Sequence, residues 1–557
     1  MYLAKFNSGR KPALRMLNHA PQGCYAIIHF GLNTFTDQEW GYGNADPALF
    51  DPAEFDAELL VRQLRDSGLD GVILVCKHHD GFCLWPTATT DYNISRAPFR
   101  NGKGDLVREV ADACRKYELK MGFYVSPWDR HDENYGTELY VKKFQQQLRE
   151  IHSNYGPAFE AWFDGANGGD GYYGGACETR QIDHARYYRW QETFQIIRDL
   201  QPNAAIFSDA GPDLRWVGNE KGLADEESFA TFTPAAVAAG REPAPGNVKY
   251  QESPGGHADG IFFMPPECDF PLRPGWFYHA GEDNAQKSTA QLINIFMRSA
   301  GCGGYFNIGL APDRTGRLHK NDVQSLLDFK AARDRLFAKP IAEAVLPVKN
   351  GSCHLPLNGK SFNLLEMAEK SDSSDWVNGY TVEVIYPDKS RQRVLQGCAI
   401  GCRRVKKVST VSNGAELVIS FTNSYVPGEL QIKLYDAVFP AETAAGNDDT
   451  AIMPLDIPEE GAWIFDLSAP MDVKGFIFTP QENVPPGTPV TYSFYGSNDG
   501  QNWELLAQGE FGNIVNNPVS QRVEFACKNL RFCKLTSSRM TGKSDSIQGK
   551  AFALLRK

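Results

Sequence analysis

Two features that would narrow the function are missing from this 557-residue chain. No run of about 18 apolar residues is long enough to cross a bilayer, so we expect no membrane span. There is no basic excess either, because the net charge is -11 and no clustered Lys/Arg face is visible. A phosphate backbone calls for such a face, so we expect no nucleic-acid partner. A neutral or hydrophilic small molecule fits the composition better as a substrate.

Metal-binding and targeting signals are also missing. The twelve cysteines are scattered, and the closest pairs have no matching His or Cys partner set: Cys398 with Cys402, and Cys527 with Cys533. We therefore expect mostly buried free thiols and no zinc site. Residues 1–6 lack the apolar core of a secretion signal, and the compartment is left open.

The order of apolar patterns predicts the domain organisation. From about residue 20 to 337, strand-like and helix-like runs alternate as in βα units around a parallel sheet. Past about residue 340, short runs rich in Val, Ile, Thr, Tyr and Phe stand between turn clusters. We predict an α/β fold, with a (β/α)8-like TIM barrel over residues 1–337 and two C-terminal β-sandwich domains over 338–445 and 446–557.

The individual strands and helices are harder to identify in the sequence than the domains. Only six or seven βα units can be counted, and residues 276–278 are among the candidate late strands. Asp51-Pro52 is expected to open the first long helix, and Asp105 to cap the second.

Polar and aromatic side chains stand where the predicted barrel strands end: His29, Lys77 to Asp80, Tyr124, Asp164, Asp209 and, within the last strand, Asn307. Active sites on barrels gather at these carboxyl ends, so we expect the side chains to share one site. Asp164 stands out because it closes an apolar run and precedes a Gly-rich loop with room beside the carboxylate. An Asp that caps a turn is the plain alternative for that stretch.

The residue types favour a sugar ligand. Five tryptophans supply flat apolar faces of the kind that stack on sugar rings, although each would serve equally well in a core: Trp40, Trp85, Trp128, Trp162 and Trp276. His78, His79 and Asp80 suggest a metal at first sight. Successive strand residues point to opposite faces, however, and no HExxH spacing is present, so we predict neither metal nor cofactor.

Cleavage of a glycosidic bond usually needs a second carboxyl group across the bond from the first. Glu220 lies in a Gly-containing loop just beyond the strand that ends at Asp209. Glu267, between two prolines and a cysteine, is also expected in a loop. Most glutamates simply face water, and sequence spacing does not choose between the two.

Longer motifs resemble the retaining α-L-fucosidases of glycoside hydrolase family 29, and more closely the subgroup that acts on α-1,3/4 linkages. They stand in the family's order at residues 29–35, 39–40, 77–82, 162–166, 215–220, 273–278 and 307–309. The resemblance implies Asp164 as nucleophile and Glu220 as acid/base, with Glu267 as the rival acid. It also implies a set of residues that bind fucose: His29, Trp40, His78, His79, Tyr124 and Trp276.

The function implied by this resemblance is a retaining exo-α-L-fucosidase without a cofactor. Its substrate would be a fucosylated oligosaccharide or glycoconjugate of the Lewis type, carrying terminal α-1,3/4-linked fucose. The two C-terminal domains resemble discoidin or carbohydrate-binding modules. An inactive barrel with glycan-binding sandwiches and an exo-glycosidase for a related L-sugar are the alternatives. Family members are often periplasmic or secreted.

Overall fold

Eight parallel strands form a closed barrel in the N-terminal part of the chain. The computed structural model describes residues 2–370, 372–422, 425–441, 450–454, 458–459 and 461–557. Each barrel strand pairs with the next along the chain, and the last pairs with the first, which confirms the predicted α/β barrel. The strands are β1 Cys24–Ile28, β2 Gly71–Lys77, β3 Lys120–Val125, β4 Glu160–Trp162, β5 Ala205–Ser208, β6 Leu214–Trp216, β7 Pro266–Pro271 and β8 Tyr305–Leu310.

Helices cover much of the barrel's outer face. Those in the described residues are α1 Leu14–Leu17, α2 Leu32–Thr36, α3 Ala57–Asp66, α4 Leu106–Lys116, α5 Glu138–Asn154, α6 Trp190–Leu200, α7 Thr289–Met297 and α8 Lys320–Phe337. Asp105 caps α4 as predicted, because its carboxylate accepts the Arg108 N–H at 2.9 Å. The first long helix, α3, begins at Ala57 and not at Asp51-Pro52. Asp56 is its cap, and Glu54 before it is held by a backbone hydrogen bond to Thr315.

The barrel lacks a helix at two of its connections. Only residues 209–213 join β5 to β6, and residues 217–265 join β6 to β7 without an α-helix. Two strands were therefore missed in the sequence, because a βα count depends on helices that separate the strands. Residues 276–278, predicted as a strand, form an irregular loop after β7. That loop begins where Pro271 ends β7.

The strands are buried on both faces, as parallel strands under helices should be. Every residue of β2 is buried, for example. Alternate side chains form a cluster inside the barrel, which includes Tyr25, Ile73, Tyr124, Trp162 and Phe207. The other side chains pack outward against the helices. The inward cluster forms the floor on which the site described below is built.

The first C-terminal unit is a β-sandwich of two four-stranded antiparallel sheets around a shared core. In sheet order, one contains Ala342–Pro347, Glu429–Tyr435, Phe362–Ala368 and Arg404–Val411, and the other Ser352–Pro356, Glu416–Phe421, Tyr380–Ile385 and Arg391–Gly397. Alternate burial along Tyr380–Ile385 matches the half-buried pattern expected from the sequence.

The second C-terminal unit is one seven-stranded antiparallel sheet and not two separate sheets. The reason is that its two long strands, Ala462–Thr479 and Gln521–Thr536, shift register twice and so pair along both parts of the sheet. The other strands are Thr450–Met453, Pro458–Glu459, Thr491–Ser497, Glu504–Glu510 and Ala551–Arg556. The predicted boundary at residues 445 and 446 lies outside the described residues. No helix in the described part of the chain is both long and apolar enough to span a bilayer.

Candidate active site

A cavity of about 280 Å³ opens at the carboxyl ends of the barrel strands. All the catalytic and fucose-binding residues implied by the resemblance line it except Tyr124, which contacts one of the lining residues from the barrel interior. Of the other strand-end residues expected at the site, Asp209 lines the cavity, whereas Lys77, Asp80 and Asn307 do not. The Lys77 amine is buried against Asp129, Tyr140 and Gln147, and Asn307 donates to Glu267 inside the barrel. The other lining residues are Ile27, Trp162, Gly165, Ala166, Phe207, Asp209, Trp216, Tyr250, Asp269 and Asn516. The structure therefore brings together residues that are far apart in sequence, at the edge where barrels carry their sites.

Asp164 stands two residues beyond β4, at the rim of the barrel. Its Oδ2 accepts a hydrogen bond from the Tyr124 hydroxyl at 2.9 Å and lies 3.7 Å from His79 Nε2. Its Oδ1 accepts the Ala166 N–H at 2.6 Å. The side chain keeps 23% of its surface exposed. Both carboxylate oxygens are thus oriented by the protein, while part of the group faces the cavity.

Three buried imidazoles stand beside this carboxylate. Burial lowers the pKa of His29 to about 3 and that of His79 to about 4, and it holds the pKa of His78 well below its ordinary value. His79 Nδ1 lies 2.7 Å from the Ser126 hydroxyl. All three rings are neutral at neutral pH, so each has one donor and one acceptor nitrogen. That chemistry suits hydroxyl groups, which both donate and accept.

Glu220 is one of four carboxyl groups that line the cavity, with Asp164, Asp209 and Asp269, and it is partly buried in the loop after β6. Its Oε2 accepts the Trp276 indole N–H at 3.0 Å and a hydrogen bond from Asn513 Nδ2. Burial raises its pKa to about 7, and the nearby carboxylates of Asp164 and Glu39 add to the shift. A carboxyl group with this pKa is able to give and take a proton near neutral pH.

The loop that carries Trp276 is anchored by Glu39. The Glu39 carboxylate accepts the backbone N–H groups of Trp276 at 2.9 Å and Phe277 at 3.1 Å. His279 stands between Glu39 and Asp37, with ring nitrogens 2.8 and 2.9 Å from their oxygens. Burial opposes a charge on His279, but these two hydrogen bonds outweigh it and keep the His279 pKa well above its ordinary value. The position of Trp276 thus depends on a buried ionic cluster.

Glu267 does not lie in a loop. It is fully buried in β7, inside the barrel. Its Oε1 accepts N–H groups from Trp162 at 2.8 Å and Asn307 at 2.7 Å, and its Oε2 accepts the Tyr25 hydroxyl at 2.7 Å. Burial, together with Glu160, raises the Glu267 pKa well above its ordinary value. Both of its oxygens are engaged by protein groups in the barrel interior, below the cavity.

Among the ten lining residues outside the predicted catalytic and fucose-binding set, four form two hydrogen-bonded pairs. Asp209, noted in the sequence only as a strand end, accepts the Tyr250 hydroxyl at 2.7 Å, and Asp269 accepts the Trp216 indole N–H at 2.6 Å. Trp216 and Asp269 lie on the two strands that the sequence count missed, and Tyr250 comes from the irregular segment before β7. Asp209 carried a strand-end signal and Trp216 lay in the motif at residues 215–220, whereas Tyr250 and Asp269 carried no signal.

No metal site is associated with these groups in the described residues. No set of three or more His, Cys, Asp or Glu side chains there is arranged to hold an ion. His79 Nδ1 is engaged by the Ser126 hydroxyl at 2.7 Å, and its Nε2 lies 3.7 Å from the Asp164 carboxylate, beyond hydrogen-bond distance. The cavity therefore offers carboxyl groups, neutral imidazoles and indole faces.

A parallel barrel with several carboxyl groups at a small cavity on its carboxyl-end face is an architecture that suits a glycoside hydrolase. Comparison with known proteins agrees, since a family model described as Alpha-L-fucosidase matches residues 15–331. The chain belongs to the alpha-L-fucosidase family and is a glycoside hydrolase.

Named relatives and solved structures are consistent with this assignment. The chain is 39% identical to Alpha-L-fucosidase 1 of Arabidopsis thaliana over 319 residues, which cover 57% of this chain and 59% of the relative. It is 34% identical to a putative alpha-L-fucosidase 1 of Oryza sativa subsp. japonica, over 68% of this chain and 76% of that one. The Arabidopsis match thus spans less than two thirds of that relative's length.

The similarity to solved structures extends into the C-terminal sheets. A glycoside hydrolase 29 family member from an unknown rumen bacterium is 33% identical with a TM-score of 0.73, over 99% of this chain and all of that one. A putative alpha-L-fucosidase from Bacteroides ovatus ATCC 8483 is 32% identical with a TM-score of 0.69, over 100% and 98% of the two chains. The whole architecture, and not the barrel alone, is therefore shared with these proteins.

Proposed function

We propose that this protein is a retaining exo-α-L-fucosidase that removes terminal α-1,3/4-linked fucose from Lewis-type oligosaccharides or glycoconjugates by double displacement. The observation that carries the proposal is the pairing of Asp164, open to the cavity, with Glu220, whose burial raises its pKa to about 7. Two carboxyl groups in different surroundings suit a nucleophile and an acid/base. Family membership supports fucose as the sugar, and the motif resemblance supports the linkage.

In the first step, Glu220 gives its proton to the glycosidic oxygen while an Asp164 oxygen attacks the anomeric carbon. The bond from that carbon to the leaving group breaks as the carbon–Asp164 bond forms, which yields a β-fucosyl-enzyme. Tyr124 and the Ala166 N–H hold the attacking carboxylate in place. The orientation matters because a bound near-attack geometry lowers the entropic cost of the step.

In the second step, Glu220 is a carboxylate and acts as the base. It takes a proton from a water molecule, the water oxygen attacks the anomeric carbon, and the bond to Asp164 breaks. α-Fucose leaves and Glu220 is protonated again, so both carboxyl groups return to their starting states. A Glu220 pKa of about 7 suits both roles, because neither protonation state is costly near neutral pH.

The remaining predicted residues would hold the sugar. The neutral rings of His29, His78 and His79 offer donors and acceptors for the fucose hydroxyls. Trp40 and Trp276 place indole groups beside the cavity, where they suit the apolar face and the methyl group of fucose. The cavity is small, about 280 Å³, which supports action on a terminal sugar. Glu267 is a poor acid candidate because its oxygens are engaged inside the barrel.

Fucose release from a panel of substrates tests the proposal. The panel contains a Lewis trisaccharide, a 2′-fucosylated oligosaccharide, an aryl α-L-fucoside and an aryl α-L-galactoside as the related L-sugar. We expect fast release from the Lewis trisaccharide, with the α-anomer of fucose formed first in a time-resolved NMR spectrum. If no fucoside releases fucose, the proposed activity is wrong. If only the 2′-linked sugar releases fucose, the proposed linkage is wrong. If the β-anomer of fucose forms first, the retaining mechanism is wrong.

A further inference from the structure

A loop of the C-terminal seven-stranded sheet reaches the barrel cavity. Residues 511–520 join the strands Glu504–Glu510 and Gln521–Thr536. Asn516 of this loop lines the cavity, and Asn513 donates a hydrogen bond to Glu220, 293 residues away in sequence. We propose that Asn513 is a positioning residue for Glu220, so that the C-terminal sheet completes the active site on the barrel. This inference rests on the proposed role of Glu220 as acid/base.

The loop is built to hold Asn513 in one conformation. Phe511 and Ile514 on either side are buried in the core of the sheet, and the Phe511 ring stacks on Phe478 at 5.2 Å. Asn513 is 6% exposed and has a φ of 47°, a left-handed conformation that costs energy for most residues but is tolerated by Asn. Asn516 Nδ2 donates to Asn513 Oδ1 at 3.2 Å, which turns the Asn513 amide nitrogen towards Glu220.

The same loop packs against the segment that precedes Trp276. A β-carbon added to Gly512 would lie 2.7 Å from the Gly275 nitrogen, so the two backbones touch with no room for a side chain. Asn517 Nδ2 also donates to the Pro274 carbonyl at 3.4 Å. Docking of the sheet therefore supports Trp276, the other donor to Glu220, as well as supplying Asn513.

The two donors select one oxygen of Glu220. Both the Trp276 indole and the Asn513 amide donate to Oε2. An oxygen that accepts two hydrogen bonds is a poor place for the proton, so the protonated form carries it on Oε1. That oxygen is then the one that serves the leaving group, and loss of Asn513 would leave the proton free to shift to Oε2 or the carboxyl group free to rotate.

The charges and donors around Glu220 determine the direction in which its pKa should change when Asn513 is replaced. The carboxyl groups of Asp164 and Glu39 act on Glu220 and disfavour its ionised form. The N–H groups of Asn513 and Trp276 act the other way, because they stabilise the carboxylate. Removal of the Asn513 amide should therefore raise the Glu220 pKa further above about 7.

The test uses Asn513→Gly and Asn513→Asp in the full-length protein. Glycine keeps the left-handed conformation but removes the amide, and aspartate keeps the shape but replaces the donor with a second carboxyl group. We expect Asn513→Gly to lower kcat/KM for a Lewis trisaccharide about 10-fold, since a hydrogen bond to a charged group is lost. Fucosyl fluoride, whose leaving group needs little acid assistance, should change by about twofold or less. The alkaline limb of the pH profile should move to higher pH, and further in Asn513→Asp.

Asn529→Ala is the matched control. It removes an amide–carboxylate hydrogen bond of 2.7 Å to Asp472 in the same sheet, on the exposed surface. The control should match the wild type in leaving-group dependence and pH profile, and the thermal unfolding curve of each variant reports folding.

An equal loss on both substrates, or an unmoved alkaline limb in both Asn513 variants, would overturn the role of Asn513. A wild-type protein that releases no fucose, or a Glu220→Ala variant with unchanged activity, would instead overturn the proposed function on which the inference rests.

Discussion

The two carboxyl groups proposed for catalysis, Asp164 and Glu220, are held in different ways. Asp164 is oriented by neighbours on the same barrel face: Tyr124 in β3, Ala166 in its own loop and His79 after β2. Glu220 is oriented by Trp276, from the loop after β7, and by Asn513, from another sheet. The nucleophile candidate thus belongs to the barrel alone, whereas the acid/base candidate is assembled from three distant segments.

The two ways of holding a carboxyl group have different consequences for catalysis. A group at the end of a rigid strand is held by the strand itself, which suits an attack that tolerates little displacement. A group in a loop depends on its donors and on burial, which together set where its proton lies and at what pH it leaves. Changes around Asp164 should therefore affect the rate itself, and changes around Glu220 should also affect the pH and leaving-group dependence.

Removal of the Asp164 carboxylate should have the largest effect. Asp164→Ala is expected to lower kcat by about 10⁴-fold or more, because no covalent intermediate forms. Added azide should restore turnover and give β-L-fucosyl azide, the product of direct attack from the face that Asp164 occupies. Asp199→Ala, an exposed carboxylate at the end of α6, is the control and should leave kcat unchanged. A turnover number within tenfold of wild type would refute the nucleophile assignment.

Removal of the Glu220 carboxyl group should have the next largest effect. Glu220→Ala is expected to lower kcat/KM for the Lewis trisaccharide by about 10²- to 10⁴-fold, the usual contribution of general acid–base catalysis. The loss should be much smaller for fucosyl fluoride, and azide should give α-L-fucosyl azide by the second displacement. Glu267→Gln tests the rival acid and should show neither pattern. If azide rescues a Glu267 variant and not Glu220→Ala, the acid/base assignment is wrong.

The pH profile should report the raised pKa of Glu220. The first step needs Glu220 protonated, so kcat/KM should be retained below about 7 and fall as pH rises through that value. The fall is about tenfold per pH unit, because one proton is lost. The profile is measured with the Lewis trisaccharide, and Glu220→Gln should remove this limb. A limb that persists unchanged in Glu220→Gln would assign it to another group.

Removal of a single donor from each carboxyl group is the finest comparison. Trp276→Phe and Tyr124→Phe each remove one hydrogen bond to a carboxyl oxygen and keep an aromatic ring. Both should lower kcat/KM about tenfold, the usual effect of a lost hydrogen bond to a charged group. Only Trp276→Phe should move the alkaline limb to higher pH, because only that donor stabilises the Glu220 carboxylate. An equal displacement of the limb in both variants would remove the distinction between the two sites.

The barrel was predictable because its pattern is local. Runs of apolar residues separated by amphipathic helices mark β1 to β5, and Asp105 marks a helix start in the structure as in the sequence. The strands β6 and β7 were missed for a physical reason. A three-residue strand without flanking helices has no periodicity to detect, and β7 begins and ends with proline. Glu267 was therefore predicted to lie in a loop, whereas it lies in β7.

The sequence by itself determined that there is a barrel, and it placed Asp164, His29, His78, His79 and Tyr124 at or just beyond the ends of its strands. Those conclusions follow from strand-end positions, which all parallel barrels share. Trp40 and Trp276 were assigned to the site by the motif resemblance. The motif resemblance named Glu220 with Glu267 as its rival, and the tertiary structure decided which of these two faces the cavity and what holds it. Burial raises the pKa of Glu220, and hydrogen bonds inside the barrel engage both oxygens of Glu267. Asn513 reaches Glu220 from 293 residues away in sequence. Burial and long-range hydrogen bonds are properties of packing, and no local pattern encodes them.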